Sequence, residues 1–436
     1  MMFTRSALTI ALAFSLSQPI FAASTDAQNS GKLSDTSTNP SANRQNLAND
    51  KDMQPISLAA ADQLTDQSDS NDIDAAPKQP VNLKSEVDLN TESDDTNAVD
   101  PNTENALKNA QSVIAKMPDE TKLEKPQSAS ASSKSPKSWT LDDLNNATWS
   151  GDLGKGQFVE YAKIQVLLNR FHSSPGVIDG ISGMNMIKSI SSFQVMNNLT
   201  ASGEMDAPTW AALTQATNND VYQSYTTTQQ DIDGPYVSSI PSDYADQAKM
   251  KSLGYVRVTE MLAERFHMDE NFLKQLNPEA TFSKAGETLI VANPREEAAT
   301  PVSLIIAHKG AKHVYAFDAN NKMIAAFPAT IGSSDTPSPK GTYQVKAIAP
   351  NPWYGYNPKN FVQGKNMKPL SLPPGPNNPV GNMWIALSKP SFGIHGTPNP
   401  SLISKTASHG CIRLTNWDAN ALSKQVKKGV TVKFLE

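Results

Sequence analysis

The chain has 436 residues, a formal net charge of −5 and a single cysteine, so no internal disulfide framework is possible. The charge is uneven: residues 24–138 hold 19 acidic and 11 basic side chains, and residues 139–436 sum to +2. The folded part is therefore near neutral, without the basic stripe that nucleic-acid binding requires.

At the start of the chain Arg5 precedes an apolar run, Ala7 to Leu16. Pro19 breaks the run and the small pair Ala22-Ala23 ends it. This pattern reads as an export signal over residues 1–23, and the apolar run is too short to span a bilayer. No later stretch approaches that length, so no stable membrane insertion is expected once the signal is cleaved. In an exported chain an odd cysteine suggests a reactive thiol or an intermolecular bridge, with a buried inert thiol as the alternative. Residues 24–138 are rich in Ser, Asp, Asn, Gln, Ala and Lys and almost devoid of aromatics. Such a composition cannot bury enough apolar surface to offset its ordering entropy. It reads as a disordered linker whose root-mean-square span is on the order of 60 Å, with one short helix at Glu104 to Met117.

Order is expected from Trp139. Between residues 150 and 216 three apolar sets recur at helical spacing: Ile164, Leu167, Leu168 and Phe171; Ile187, Ile190 and Phe193; Trp210 and Leu213. Turns at Pro175-Gly176, Asp179-Gly180 and Ser202-Gly203 separate them, giving three short helices around one small core. This segment resembles the peptidoglycan-binding three-helix domain through Ile164 to Leu168, Pro175 to Gly180, Phe193-Gln194 and Asp206 to Trp210. It departs from that family at Gly183-Met184-Asn185-Met186, where Gly-Thr is usual. Residues 217–250 read as a connector. Over residues 250–294 the strand Gly254-Tyr255-Val256, the helices Met261 to Phe266 and Asn271 to Leu276, and the strand Ala285 to Val291 follow in order. That strand–helix–helix–strand order resembles the LysM glycan-binding module, without its usual Gly-Asp-Thr-Leu opening. A purely structural spacer is the other reading.

From residue 300 the period changes to that of strands: Val302 to Ile306, Val314 to Phe317, Ile324 to Thr330, Thr342 to Ile348, Trp384 to Leu387 and Val430 to Leu435. One helix, Asp418 to Val426, follows a capping box begun by Thr415. The predicted fold is multidomain. A mainly-β catalytic domain over 300–436, a sandwich or partial barrel, follows a small all-α domain, a small α+β module and a disordered N-terminal segment. His308 and His313 fall in a predicted hairpin and read as exposed. Residues 350–381 are rich in Pro, Asn and Gly and carry Trp353, Tyr354, Tyr356 and Phe361, as a functional lid or binding loop would.

The one cysteine, Cys411, stands in Ser408-His409-Gly410-Cys411-Ile412-Arg413, sixteen positions after the pair His395-Gly396. A thiol needs a neighbouring base, a positive field or backbone N–H donors to act as a nucleophile. One cysteine and two histidines give three ligands, but His409 and Cys411 are only two apart and no second Cys pair or His-Glu-x-x-His helix supports them, so no metal is expected. The pattern resembles the L,D-transpeptidase catalytic domain, whose signature is a His-Gly pair, a loop, then Ser-His-Gly-Cys, a hydrophobic residue and Arg. Thr336 to Tyr343, Asn351-Pro352-Trp353 and Pro373 to Pro376 match the family as well. The resemblance implies acyl transfer without a cofactor. Cys411 would be the nucleophile. His395 would be the proton donor and acceptor, its other ring nitrogen held by a backbone carbonyl, with Gly396 or Thr397 as the candidate. His409 would shape the pocket, with the base role as its alternative, and Gly410 with Cys411 would offer N–H groups to an oxyanion. Arg413 would face a substrate carboxylate, the alternative being an ion pair with Asp418. Ser408, Gly396, Trp384 and Tyr354 complete the expected substrate-binding set. The implied partners are peptidoglycan stem peptides and glycan in the periplasm or cell envelope, and an envelope lipoprotein as one acceptor. Hydrolysis of the same thioester, or a non-catalytic wall-binding role, are the competing readings.

Overall fold

The computed structural model describes residues 101–118, 135–151, 154–215, 220–296, 298, 300–332, 338–356, 368–406, 408 and 410–436. The expected leader, most of the linker, Phe361 and His409 lie outside the described residues. Among the described residues, no helix is long and apolar enough to cross a membrane.

The linker expected over 24–138 needs a correction at its end. Helix α1 (Pro101–Ile114) buries Leu107, Ala110 and Ile114 at helical spacing, packed with Leu304, Ile306 and Tyr315 of the C-terminal domain. Proline suits the first helical position, and Glu104 pairs with Lys108 at 2.7 Å one turn on. The helix expected at Glu104 to Met117 is present and begins three residues earlier, but it packs on the C-terminal domain where a disordered linker was expected.

Helix α2 (Leu141–Asn146) starts at a complete capping box from Thr140 and Asp143. The three expected helices follow as α3 (Val159–Arg170), α4 (Met184–Met196) and α5 (Ala207–Gln215). Two buried glutamines staple the turns between them. Gln165 Oε1 accepts from the Asp179 and Gly180 N–H groups at 3.0 and 2.7 Å. Gln194 Oε1 accepts from the Gly203 N–H at 2.9 Å, while its Nε2 donates to Thr209 Oγ1. Gly180 and Gly203 have φ of +73° and +75°, backbone that glycine adopts without strain. The polar residues of this motif thus hold its turns together.

Next come β1 (Tyr222–Thr226), α6 (Gln229–Asp233), α7 (Tyr244–Gln247), α8 (Val258–Arg265), α9 (Glu270–Leu276) and β2 (Thr288–Ala292), with β1 and β2 antiparallel. The two expected helices and the closing strand are present, but the first strand is Tyr222–Thr226 and not Gly254-Tyr255-Val256, and α6 and α7 stand between it and the helix pair. Residues 217–250 are therefore more than a connector. Only Tyr222 of β1 is buried, so the strand carries little hydrophobic alternation to betray it. Nor are the two middle units independent. Leu167, Phe193 and Leu213 share one apolar cluster with Tyr222, Leu262, Phe272 and Leu289. A unit of about 60 residues buries only about 60% of the surface its unfolded chain exposes, and fusing two cores offsets that weakness.

The C-terminal domain contains β3 (Leu304–His308), β4 (His313–Phe317), β5 (Met323–Pro328), β6 (Thr330–Ile331), β7 (Gly341–Pro350), β8 (Tyr354–Tyr356), β9 (Leu370–Leu372), β10 (Met383–Leu387), β11 (Gly393–His395), β12 (Ile412–Arg413), α10 (Asn416–Gln425) and β13 (Thr431–Leu435). Nine strands form one sheet in the order β5-β4-β3-β13-β7-β10-β11-β12-β6, and β8 pairs with β9 separately. The two edge strands, β5 and β6, are separated in sequence by Ala329 alone. The sheet therefore curls until its edges nearly meet, the partial barrel expected. Ile305, Val314, Phe327, Ile385, Ile394, Ile412 and Val432 fill its interior.

Two sequence expectations fail here for the same reason, the packing of the middle unit on this sheet. The hairpin carrying His308 and His313 is present, yet His313 is fully buried, 5.1 Å from the Tyr315 ring. Lys188 of α4 covers that turn, its Nζ donating to the Ala311 carbonyl at 2.5 Å. Burial pushes the His313 pKa well below its usual value, assisted by the Lys188 charge. Helix α10 starts at Asn416, and Thr415 Oγ1 accepts from the Asp418 N–H at 3.1 Å. The Asp418 carboxylate does not complete the expected capping box. It pairs with Arg295 at 2.7 Å and accepts from Ser174 Oγ at 2.9 Å, joining both middle segments to the C-terminal domain.

Candidate active site

Strands β11 and β12 are parallel, with Ile394 opposite Ile412 and His395 opposite Arg413. Side chains alternate between the faces of a sheet. Ile394 and Ile412 enter the barrel interior, so His395 and Arg413 point to the other face. Two residues back, Gly393 and Cys411 share that face. Antiparallel β10 sets Trp384 opposite His395, and its indole lies nearly parallel to the imidazole, with centroids 5.5 Å apart and planes at 20°. A Cβ on Gly393 would stand 2.6 Å from the Trp384 ring; the glycine leaves room for the indole. Three short strand segments, distant in sequence, thereby bring thiol, imidazole, guanidinium and indole onto one surface.

Each group is held from behind. His395 Nδ1 lies 2.7 Å from the Gly396 carbonyl oxygen, which fixes a proton on Nδ1 and leaves the lone pair on Nε2. His395 is fully buried, and Nε2 has no hydrogen-bond partner among the described residues. Burial brings its pKa down to about 3, with the nearby Arg413 charge acting in the same direction and the bond to Gly396 against it. Cys411 is 1% exposed, and its Sγ lies 3.7 Å from the Ser391 carbonyl oxygen. Burial pushes the thiol up to about 12, opposed by the Gly393 N–H and the Arg413 charge. At neutral pH the resting pair is therefore thiol and neutral imidazole.

The turn before the thiol is locked by Ser408. Its Oγ donates to the Cys411 carbonyl at 2.8 Å and accepts from the Gly332 N–H at 2.7 Å, while its own N–H reaches the Gly332 carbonyl at 3.1 Å. Gly410 has φ +97°, a conformation natural to glycine alone. This turn delivers the N–H groups of residues 410 and 411 just ahead of β12.

The structure revises several expected roles. Ser408 is committed to the Gly332 clamp, and Gly396 acts through its carbonyl. A Cβ on Gly396 would meet Asn416 Oδ1 at 2.1 Å. Arg413 does not pair with Asp418, which is taken by Arg295. Tyr354 is fully buried behind the site in a cluster with Tyr356, Leu372, Trp384 and Cys411. Trp384 is buried too, but its Nε1–H has no hydrogen-bond partner among the described residues, so a donor and the Nε2 acceptor stand unspent on one face. Sequence reasoning missed the outer wall. Tyr244 of α7 meets Tyr356 and Tyr354 edge-on, with centroids at 5.0 and 5.9 Å. The Leu253 N–H donates to the Pro374 carbonyl, and Asn377 Nδ2 reaches the Gly254 carbonyl and Glu260 at 3.0 and 2.6 Å. The aromatic content of residues 234–255 was the available signal, but nothing local indicates which surface it covers.

Comparison with known proteins agrees with the resemblance. Residues 303–433 match the family model described as "L,D-transpeptidase catalytic domain", and residues 160–213 match "Putative peptidoglycan binding domain". A curated relative named "Putative L,D-transpeptidase YkuD", from Bacillus licheniformis, is 28% identical over 40% of this chain and 90% of its own length. "Probable L,D-transpeptidase YbiS" of Escherichia coli is 26% identical over 42% of this chain and 61% of its own. A solved structure, "L,D-transpeptidase from Mycobacterium smegmatis", is 18% identical, with a TM-score of 0.26 over 35% of this chain and 64% of that one. The chain thus spans just under two thirds of that solved protein.

Proposed function

We propose that this chain, whose C-terminal domain belongs to the L,D-transpeptidase family, is an exported peptidoglycan L,D-transpeptidase working through a Cys411 thioacyl-enzyme. The observation that carries the reading is the β11–β12 register. It sets the lone thiol and a tautomer-fixed imidazole on one buried face.

The chemistry follows from the resting state. With the thiol near 12 and the imidazole near 3, no thiolate is waiting, and proton transfer accompanies attack. His395 Nε2 takes the thiol proton as Sγ bonds to the carbonyl carbon of the third stem residue. The N–H groups of Gly410 and Cys411 receive the oxyanion. As the intermediate collapses, the bond to the terminal D-residue breaks, and Nε2 gives its proton to the departing amine. An amine acceptor then enters, His395 removes its proton, and the new amide forms as the thiol is restored. Three acceptors fit this second half: the diamino-acid side chain of another stem, giving a 3→3 crosslink, a free D-amino acid, or a lysine of an envelope lipoprotein. Arg413 lends positive charge to the thiolate that develops and faces the substrate carboxylate.

Burial of Cys411 and His395 favours amine transfer over hydrolysis, since a closed site keeps water from the thioester. The three-helix unit brings the catalyst to the wall. The test is incubation with a purified tetrapeptide muropeptide and mass analysis of the products. Crosslinked dimer supports transfer, tripeptide alone assigns hydrolysis, and unchanged substrate leaves a wall-binding protein.

A further inference from the structure

Behind His395 the Gly396 peptide is pressed against a single carboxamide. Asn416, the first residue of α10, is 1% exposed. Its Oδ1 would be 2.1 Å from a Cβ on Gly396 and 2.0 Å from one on Gly381, so the amide fits between two bare backbones. The same Oδ1 accepts from the Asn382 N–H at 3.3 Å. Nδ2 donates to the Pro376 carbonyl at 3.2 Å and to both oxygens of Glu264, at 3.0 and 3.1 Å. Glu264 belongs to α8, outside the catalytic domain, and also accepts from Tyr255 Oη at 3.1 Å. On its far side a cleft of about 330 Å³, lined by Tyr255, Glu264, Asn382 and Trp417 among others, separates α8 from α10. A path therefore runs from the middle unit through the Glu264–Asn416 hydrogen bonds and the close packing of Asn416 on Gly396 to the Nδ1–H of His395.

We propose that Asn416 and Glu264 are positioning residues for His395, through which the middle unit sets the orientation of the catalytic base. The proposal rests on the transpeptidase reading for what His395 does. Its physical content is independent of that reading. The Gly396 carbonyl can hold the imidazole only if its own peptide plane is fixed. Asn416 fixes it from one side, and Glu264 fixes the rotation of Asn416. Two contacts from Nδ2 to one carboxyl group hold the amide's rotation, and burial raises the Glu264 pKa to about 7. The middle unit is then part of the catalytic architecture and not solely an attachment to the wall.

The experiment uses the full chain with Asn416→Ala, Glu264→Ala and Glu264→Gln, and two readouts. The first is the His395 Nδ1–H resonance in protein labelled with ¹⁵N-histidine, assigned by its loss in His395→Gln. The second is kcat and KM on the tetrapeptide. Asn416→Ala is expected to broaden or lose the resonance and to lower kcat about 10–100-fold, as loss of a group that orients a site residue does, with KM within about twofold. Glu264→Ala gives a smaller loss in kcat, and Glu264→Gln, whose amide oxygen still accepts from Asn416, restores most of it. A folded Asn416→Ala with both resonance and kcat at wild-type values overturns the proposal. If Asn416→Ala does not fold, the Glu264 pair decides: wild-type resonance and kcat in Glu264→Ala overturn it. Should the wild-type chain not turn over tetrapeptide, the transpeptidase reading fails, while the resonance still decides the positioning claim.

Discussion

The two faces of the β11–β12 pair are equally dry and chemically opposite. On one side Ile394 and Ile412 are fully buried among valine, phenylalanine and isoleucine side chains. On the other, His395, Arg413 and Cys411 are buried to within 2%, yet this face carries an imidazole, a guanidinium and a thiol. Burial alone therefore does not separate scaffold from site. What separates them is the polar capacity left unspent: Ile394 and Ile412 have none, and the opposite face keeps His395 Nε2 and Trp384 Nε1 without partners among the described residues. An unsatisfied buried donor or acceptor costs about 1–3 kcal/mol, and a substrate carbonyl and amine would satisfy both.

That contrast can be broken in order of effect. Cys411→Ala should abolish acyl-enzyme formation, read by intact mass, and leave the thermal midpoint near wild type, because an inert small side chain fills the same apolar space. His395→Gln should lower kcat/KM by about 10²–10⁴, the range for loss of a general acid–base, again with stability nearly unchanged. The interior face should invert this pattern. Ile412→Ala, one residue from the nucleophile, should cost about 2–5 kcal/mol of stability, measured by denaturant unfolding, while the folded fraction keeps its kcat. Ser408→Ala sits between the two classes. It leaves the buried Gly332 N–H without its acceptor and should cost about 1–3 kcal/mol, with a fall in kcat as the Gly410 turn loosens. An Ile412→Ala protein that is stable but inactive would erase the distinction between the faces.

The smallest effect concerns pH. An imidazole held at about 3 stays neutral, and competent as a base, throughout the range above that value. A thiol at about 12 stays protonated until strongly alkaline pH. The rate of Cys411 acylation by a carbapenem, which involves no amine acceptor, should therefore be nearly flat between about pH 5 and 9. A bell with both limbs inside that window would show a pre-formed thiolate–imidazolium pair instead.

Much of the site was legible in the sequence because its signals are local. Ser408-x-Gly410-Cys411 is a turn whose glycine and serine the backbone demands, and His395-Gly396 supplies imidazole and carbonyl from adjacent residues. The three-helix unit was legible for a similar reason, since its apolar period and turn glycines lie within one stretch. What could not be read were pairings between distant segments. Tyr222–Thr226 becomes a strand only by pairing with Thr288–Ala292, and Arg295 takes Asp418 across 123 positions. Asn416 looks like an ordinary helix-start residue until Gly396 and Glu264 close on it. The burial of His313 likewise depends on α4, which no hairpin signal announces.

The central claim is that Cys411 carries the acyl group, and intact-mass analysis of the chain during turnover of tetrapeptide muropeptide tests it most directly. The account predicts an adduct equal to the tetrapeptide muropeptide less its terminal D-residue, mapped to Cys411 and absent from Cys411→Ala. Release of the terminal D-residue by Cys411→Ala at the wild-type rate would contradict it.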